Sequence, residues 1–172
     1  MLIKRVWAMP NKNTFSIKPI QDLIGRYDTD NSIDPFANGS KLATTTNDID
    51  EEHNTDYHLN ATDFMDLFDD WSTDLVLFDP PYSPRQVAEV YRKLKKTVTA
   101  ADTRSSFWAN IKNKIARVLS PDGVVISFGW NTNGLGKSRG FEPIEILIVH
   151  HGAQHNDTLV TVEKRFSRGH HD

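Results

Sequence analysis

The run Asp74-Leu75-Val76-Leu77-Phe78-Asp79 constrains the fold of this chain more than any other segment. Four consecutive apolar residues bounded by acids leave no polar face for water. The run therefore predicts a strand buried on both sides, as in a parallel sheet. Val124-Val125-Ile126-Ser127-Phe128 repeats the pattern. Helical spacing separates these runs: a short helix ending near Tyr27, another over Thr62–Phe68, a third opening on Pro84 and running to Leu94, and a fourth over Ser105–Leu119. Strands alternating with helices predict an open, doubly wound α/β sheet.

Shorter signals complete the outline. Ser32–Phe36 and Ala43–Asn47 are predicted strands, with a helical turn opening at Ser40–Ala43 between them. Ser120-Pro121-Asp122-Gly123 is a predicted turn, and Asn131–Gly140, with its three glycines, a mobile loop. Glu142–His151 and Thr158–Phe166 are predicted to pair antiparallel as a hairpin at a sheet edge, making the sheet mixed. At 172 residues, with no repeat or long linker, the chain is expected to form one domain spanning 1–172.

Composition removes several classes of function. Without cysteine the chain has no disulfide, thiol nucleophile or Cys-zinc site, which fits a cytoplasmic protein. No apolar run reaches 18 residues, and Met1–Pro10 does not resemble a secretory signal, so no membrane partner is expected. His150 and His151 are adjacent on a predicted strand and face opposite sides, while His53, His58 and His155 lie in polar stretches without ligand spacing, so no metal site is predicted. The net charge is −3, but acids crowd between Asp28 and Asp74 and bases between Arg85 and Arg117 and from Lys164 to Arg168. Two solvated faces, or a basic side that meets phosphates, are both consistent with this.

The chemistry falls on Asp79-Pro80-Pro81-Tyr82, directly after the first buried strand. Ligands of an open α/β sheet bind at the carboxyl ends of its strands. Two prolines hold the segment extended and offer carbonyls without competing N–H donors. A carboxylate and a nearby carbonyl can accept both hydrogens of an exocyclic amino group while an aromatic ring stacks on the base. That geometry directs the nitrogen lone pair at an electrophile.

Asp79-Pro80-Pro81-Tyr82 resembles the catalytic motif of the amino-methyltransferases that modify adenine in DNA. Asp34-Pro35-Phe36-Ala37-Asn38-Gly39-Ser40 resembles that family's cofactor motif, and Thr14-Phe15-Ser16-Ile17-Lys18-Pro19-Ile20 its N-terminal element. The resemblance implies a Rossmann-like methyltransferase fold and S-adenosylmethionine as cofactor. It implies that Asp79 and Pro80 bind the target amino group, that Pro81 belongs to the same catalytic segment and that Tyr82 stacks on the base. Phe15, Ile17, Pro19, Asp34, Phe36, Asn38 and Gly39 would lie about the cofactor. Asp48 would take its ribose, and Asp63, or Asn60 before it, would approach its adenine.

The sequence departs from the family at two points. Asn38 and Ser40 stand where glycines are usual, and asparagine tolerates positive φ better than other non-glycine residues. A target-recognition domain is also missing, so either specificity is low, or a protein partner or a second copy of the chain supplies it, or the substrate is RNA or a single strand in place of duplex DNA. Lys137 and Arg139, in the glycine-rich loop, are candidate substrate contacts, or simply a solvated surface. Trp130, after a strand end, is either a wall of the base pocket or a packing residue. Two further readings are a non-catalytic subunit on this fold and a cytosine amino-methyltransferase.

Overall fold

The computed structural model describes residues 1–81, 84–93 and 105–166, without the side chains of Pro84, Val90, Tyr91 and Lys93. Tyr82, the predicted helix end at Leu94, Arg168, His170 and His171 lie outside the described residues. In chain order the elements are β1 (Leu2–Trp7), α1 (Lys18–Tyr27), β2 (Ser32–Asp34), β3 (Thr45–Thr46), α2 (Ala61–Met65), β4 (Thr73–Phe78), α3 (Pro84–Lys93), α4 (Ser105–Val118), β5 (Leu119–Gly129), β6 (Phe141–His150) and β7 (Thr158–Arg165). The strands form one sheet of order β1-β6-β7-β5-β4-β2-β3. Only β7 runs against its neighbours. This is the mostly parallel α/β sheet that the buried runs predict. Among the described residues no helix is long and apolar enough to cross a membrane.

Alternation along β4 explains the three layers. Leu75 and Leu77 join Ile20, Leu23 and Ile24 of α1 in the core on one face. Val76 and Phe78 join Phe64 and Met65 of α2 and Ile111, Ile115 and Val118 of α4 on the other. Each such side chain, fully buried, contributes about 1.5–3 kcal/mol. The predicted turn at Ser120–Gly123 appears as an excursion within β5. Leu119 pairs with Thr73 and Val124 with Leu75, so the four residues between them oppose Asp74 alone.

Two expectations are corrected, and one strand carries no expectation. The β6–β7 pair is antiparallel but not at an edge, because β7 sits between β5 and β6, and β1 pairs parallel with β6 on the outside. The edge strand β1 has no sequence signature, since five of its six residues are exposed and apolar positions do not alternate. No helical turn forms at Ser40–Ala43. The connection from β2 to β3 is a ten-residue loop, held by positive φ at Asn38 and Gly39.

α1 is fastened to the sheet through Glu145 of β6, which is 4% exposed and binds both the Arg26 guanidinium and the Tyr27 hydroxyl, the latter at 2.8 Å. Burial, reinforced by the Glu145 hydrogen bond and charge, pushes the Tyr27 hydroxyl up to about 12. The folded protein thus holds this proton more tightly than the unfolded chain, whose tyrosines titrate at about 10. The stabilisation is whole below about pH 10 and is lost as pH rises through the folded value. Ultraviolet titration is expected to show a phenol ionising at about 12 that disappears in Tyr27→Phe. A Tyr27 transition at the ordinary tyrosine position would refute the contact.

Candidate active site

Three adjacent strands end in acids. Asp34 closes β2, Asp48 lies two residues beyond β3, and Asp79 follows β4 directly. The chain leaves β2 toward β3 on one side and later places β4 on the other. The crevice between β2 and β4 is therefore the topological switch point where ligands bind in such sheets.

A cavity of about 450 Å³ opens there, within the range of small-molecule sites. Pro35, Phe36 and Asn38 contribute from the loop after β2, and Asn47, Asp48 and Ile49 from beyond β3. Leu59 and Asn60 close one end; Pro80, Pro81, Phe107 and Trp108 close the other. A second cavity, of about 250 Å³, lies between Thr14–Ser16 and the turn Ala37–Ser40. Thr14, Asn38 and Asp79 line both cavities, so Asp79 stands where they meet.

The turn that separates the cavities depends on left-handed backbone at Asn38 (φ 46°) and Gly39 (φ 78°). The Asn38 N–H donates to Asp48 Oδ2 at 2.8 Å, and the Asp50 N–H to Asp48 Oδ1 at 2.9 Å. Each Asp48 oxygen retains a lone pair for a hydroxyl group. A Cβ on Gly39 would stand 3.3 Å from His53 Nδ1, so glycine allows the Asp48–His58 loop to close over the turn. Asn38→Gly is expected to leave stability within a few tenths of a kcal/mol, and Asn38→Val to cost about 1–2 kcal/mol through positive φ on a β-branched residue. Urea unfolding measures both, and equal midpoints would dismiss the strained turn.

Asp34 is fully buried and reaches neither cavity. Its Oδ1 accepts the Phe36 N–H at 2.9 Å, and its Oδ2 has no hydrogen-bond partner. Burial pushes the Asp34 carboxyl well above the ordinary range, and the nearby charges of Asp79 and Asp48 push it the same way, against the Phe36 hydrogen bond. Asp34 is thereby held neutral, and Asp79 and Asp48 are the acids that line the cavity, an environment that favours a cationic ligand.

Other expected site residues are distributed unevenly. Phe15 lines the smaller cavity and packs edge-on against Phe128 at 4.9 Å, so it serves both the cavity and the core. Ile17 is a core residue and Pro19 lies in the first turn of α1; neither lines a cavity. Asn60 lines the larger cavity while its Oδ1 caps α2 through the Thr62 N–H, whereas Asp63 is exposed on α2 outside it. Trp130 is 48% exposed and lines neither cavity.

Lys137 and Arg139 are also away from the cavities. β5 and β6 point the same way, so the segment between them must return along the sheet to the amino ends of the strands. Arg139 is fastened to α4, donating to Asn113 Oδ1 at 2.7 Å and to the Ala109 carbonyl at 3.4 Å, and Lys137 is exposed beside it. Phe107 and Trp108 share a face of α4 with Ile111, Ile115 and Val118 and pack against that core, and they also form an aromatic wall with Phe36, whose ring is 6.1 Å from that of Trp108. Asn47 carried no sequence signal. It is 1% exposed and ties Pro35 and Leu59 together through its amide.

The sheet and its switch-point crevice define the Rossmann-like fold of S-adenosylmethionine-dependent methyltransferases. No protein-family model and no curated protein matches the sequence. Among solved structures, 1,6-didemethyltoxoflavin-N1-methyltransferase of Burkholderia thailandensis, crystallised with 1,6-didemethyltoxoflavin and S-adenosylhomocysteine, is similar at TM-score 0.54 and 12% identity over 79% of this chain and 71% of that one. An rRNA methylase of Streptococcus thermophilus is similar at TM-score 0.52 and 12% identity, over 93% and 100%. TrmN of Thermus thermophilus matches at TM-score 0.53 and 16% identity over 87% of this chain, which spans 49% of TrmN.

Proposed function

We propose that this protein transfers a methyl group from S-adenosylmethionine to the exocyclic amino group of adenine in DNA. The observation that carries the reading is Asp79 at the junction of the two cavities, followed by the two prolines that wall the larger one. S-adenosylhomocysteine in the Burkholderia enzyme supports the same cofactor type here.

The residues present fit that cofactor. Asp48 has acceptor capacity for ribose hydroxyls, Phe36, Ile49, Leu59 and Asn60 offer a partly apolar socket for a purine, and the smaller cavity beside Gly39 offers room for an amino-acid end. The acidic crevice suits a sulfonium cation. When bound, the cofactor supplies an electrophilic methyl group. Asp79 and the carbonyl of Pro80 would accept the hydrogens of the target amine, and Asp79 would take the proton released as nitrogen is methylated. Such an amine is unreachable inside a duplex, so the base would be extruded or arrive in a single strand.

RNA is the second reading, consistent with the rRNA methylase among the similar folds. The deciding experiment incubates the protein with methyl-labelled S-adenosylmethionine and single-stranded DNA, duplex DNA or RNA, then identifies the labelled nucleoside. N6-methyladenosine from RNA alone would replace DNA with RNA in this reading. Tight S-adenosylhomocysteine binding without transfer to any of the three would favour a non-catalytic subunit.

A further inference from the structure

We propose that the outer face of α3 receives the polynucleotide backbone, with Arg85 and Arg92 on its phosphates. This rests on the nucleic-acid methyltransferase reading. The same helix turns Gln86 and Val87 into the cavity wall beside Pro80 and Pro81. Arg85 exposes 87% of its side chain, and Arg92 is exposed. Seven residues separate them, about two helical turns or 10.5 Å, which places both on one side of the helix. Along the axis of a B-form duplex that spacing is about the rise of three phosphates on one strand.

Charge is uneven around the cavity, whose lining holds Asp48, Asp50, Asp79 and Glu89 against Lys12. Asp48, Asp50, Glu51 and Glu52 crowd the β3 side, where phosphates are repelled and a cation is attracted. Arg85 and Arg92 stand on α3, which contributes to the opposite wall, but outside the cavity lining itself. Several other arginines are committed within the fold. Arg26 binds Glu145, Arg117 binds Asp70 and the Met65 and Phe68 carbonyls, Arg139 binds α4, and Arg165 lies over Phe141 while donating to Ala116 and Leu119. Arg85 pairs with Glu89 at 2.9 Å, an exposed contact of the kind that yields readily to a phosphate. Glu89 lines the cavity and pairs with Arg85, so it stands where the cavity wall meets the arginine face. A strand lying along α3 would present a splayed base to Pro80 and Pro81 without crossing the acidic rim.

The test is steady-state methylation of a single-stranded oligodeoxynucleotide by the full chain and by R85E/R92E, with S-adenosylhomocysteine calorimetry to verify that the variant remains folded. KM for the oligonucleotide is expected to rise at least about tenfold with kcat retained, and the salt slope of binding to fall by about 1.4, roughly 0.7 for each lost single-strand phosphate contact. R85K/R92K, which keeps both charges, is expected to restore KM to within about threefold. KM for free deoxyadenosine, which has no phosphate, is expected to stay unchanged in all three proteins. An unchanged oligonucleotide KM and salt slope in R85E/R92E, with active wild type, overturns the assignment of α3. A wild-type protein that binds S-adenosylhomocysteine but methylates no polynucleotide overturns the functional reading itself, and the assignment with it.

Discussion

Replacing Asp79 by alanine is expected to lower kcat for methyl transfer about 10²- to 10³-fold, the usual effect of removing one preset electrostatic partner of a transition state. The position of Asp79 sets this expectation. It follows β4 at the meeting point of the two cavities, beside the carbonyl groups that Pro80 and Pro81 hold rigid. An amine undergoing methylation gains positive charge before its proton leaves, and a fixed carboxylate stabilises that charge more than it stabilises the neutral substrate. Cofactor affinity is expected to fall much less, because Asp48 still lines the crevice and keeps acceptor capacity for the ribose. Asp79→Asn keeps an acceptor oxygen but loses the charge, so its kcat is expected to fall between wild type and alanine. Single-turnover kinetics with labelled cofactor measure all three. A rate for Asp79→Ala within about threefold of wild type would remove Asp79 from the chemistry, since one lost charge partner costs far more.

The site was legible wherever local chemistry fixes position. An apolar run ending in Asp-Pro-Pro needs only its own residues to predict a buried strand with an acid at its carboxyl end. Asn38 adopts the positive φ that its side chain tolerates. What depends on distant pairing was not legible. β7 lies between β5 and β6 because of long-range register, and nothing in Thr158–Arg165 encodes that order. The strand β1 is exposed on both faces, so its residues carry no period-two pattern to read. Lys137 and Arg139 attract attention because they stand in a glycine-rich segment. The parallel direction of β5 and β6 sends that segment back along the sheet. Phe107 and Trp108 have the spacing of a core face and do pack against the core, but that spacing does not reveal that they also line the cavity, where α4 begins.

That return segment is the setting for the largest expected loss of stability. Gly134 has φ 48°, and a Cβ placed on it would lie 2.0 Å from Glu163 Oε2 and 2.4 Å from its Cδ. Glu163 has little room to withdraw. It is 1% exposed, and its carboxylate accepts the N–H of Leu135 at 2.6 Å and of Gly136 at 3.0 Å. These bonds hold the crossover against β7. Gly134→Ala combines left-handed strain of about 1 kcal/mol with the loss of at least one charge-assisted hydrogen bond worth about 1.5–3 kcal/mol, so about 3 kcal/mol is expected in urea unfolding. Gly140→Ala supplies the comparison. Gly140 also has positive φ, at 84°, but a Cβ there meets nothing within 4 Å, so only about 1 kcal/mol of backbone strain is expected. Equal losses in the two variants would mean that Glu163 does not clamp the segment. Combining Gly134→Ala with Glu163→Gln is expected to cost less than the sum of the single changes, because both disturb one carboxylate. Gly134 lines neither cavity, so below the unfolding transition the loss should be confined to stability, with kcat close to wild type.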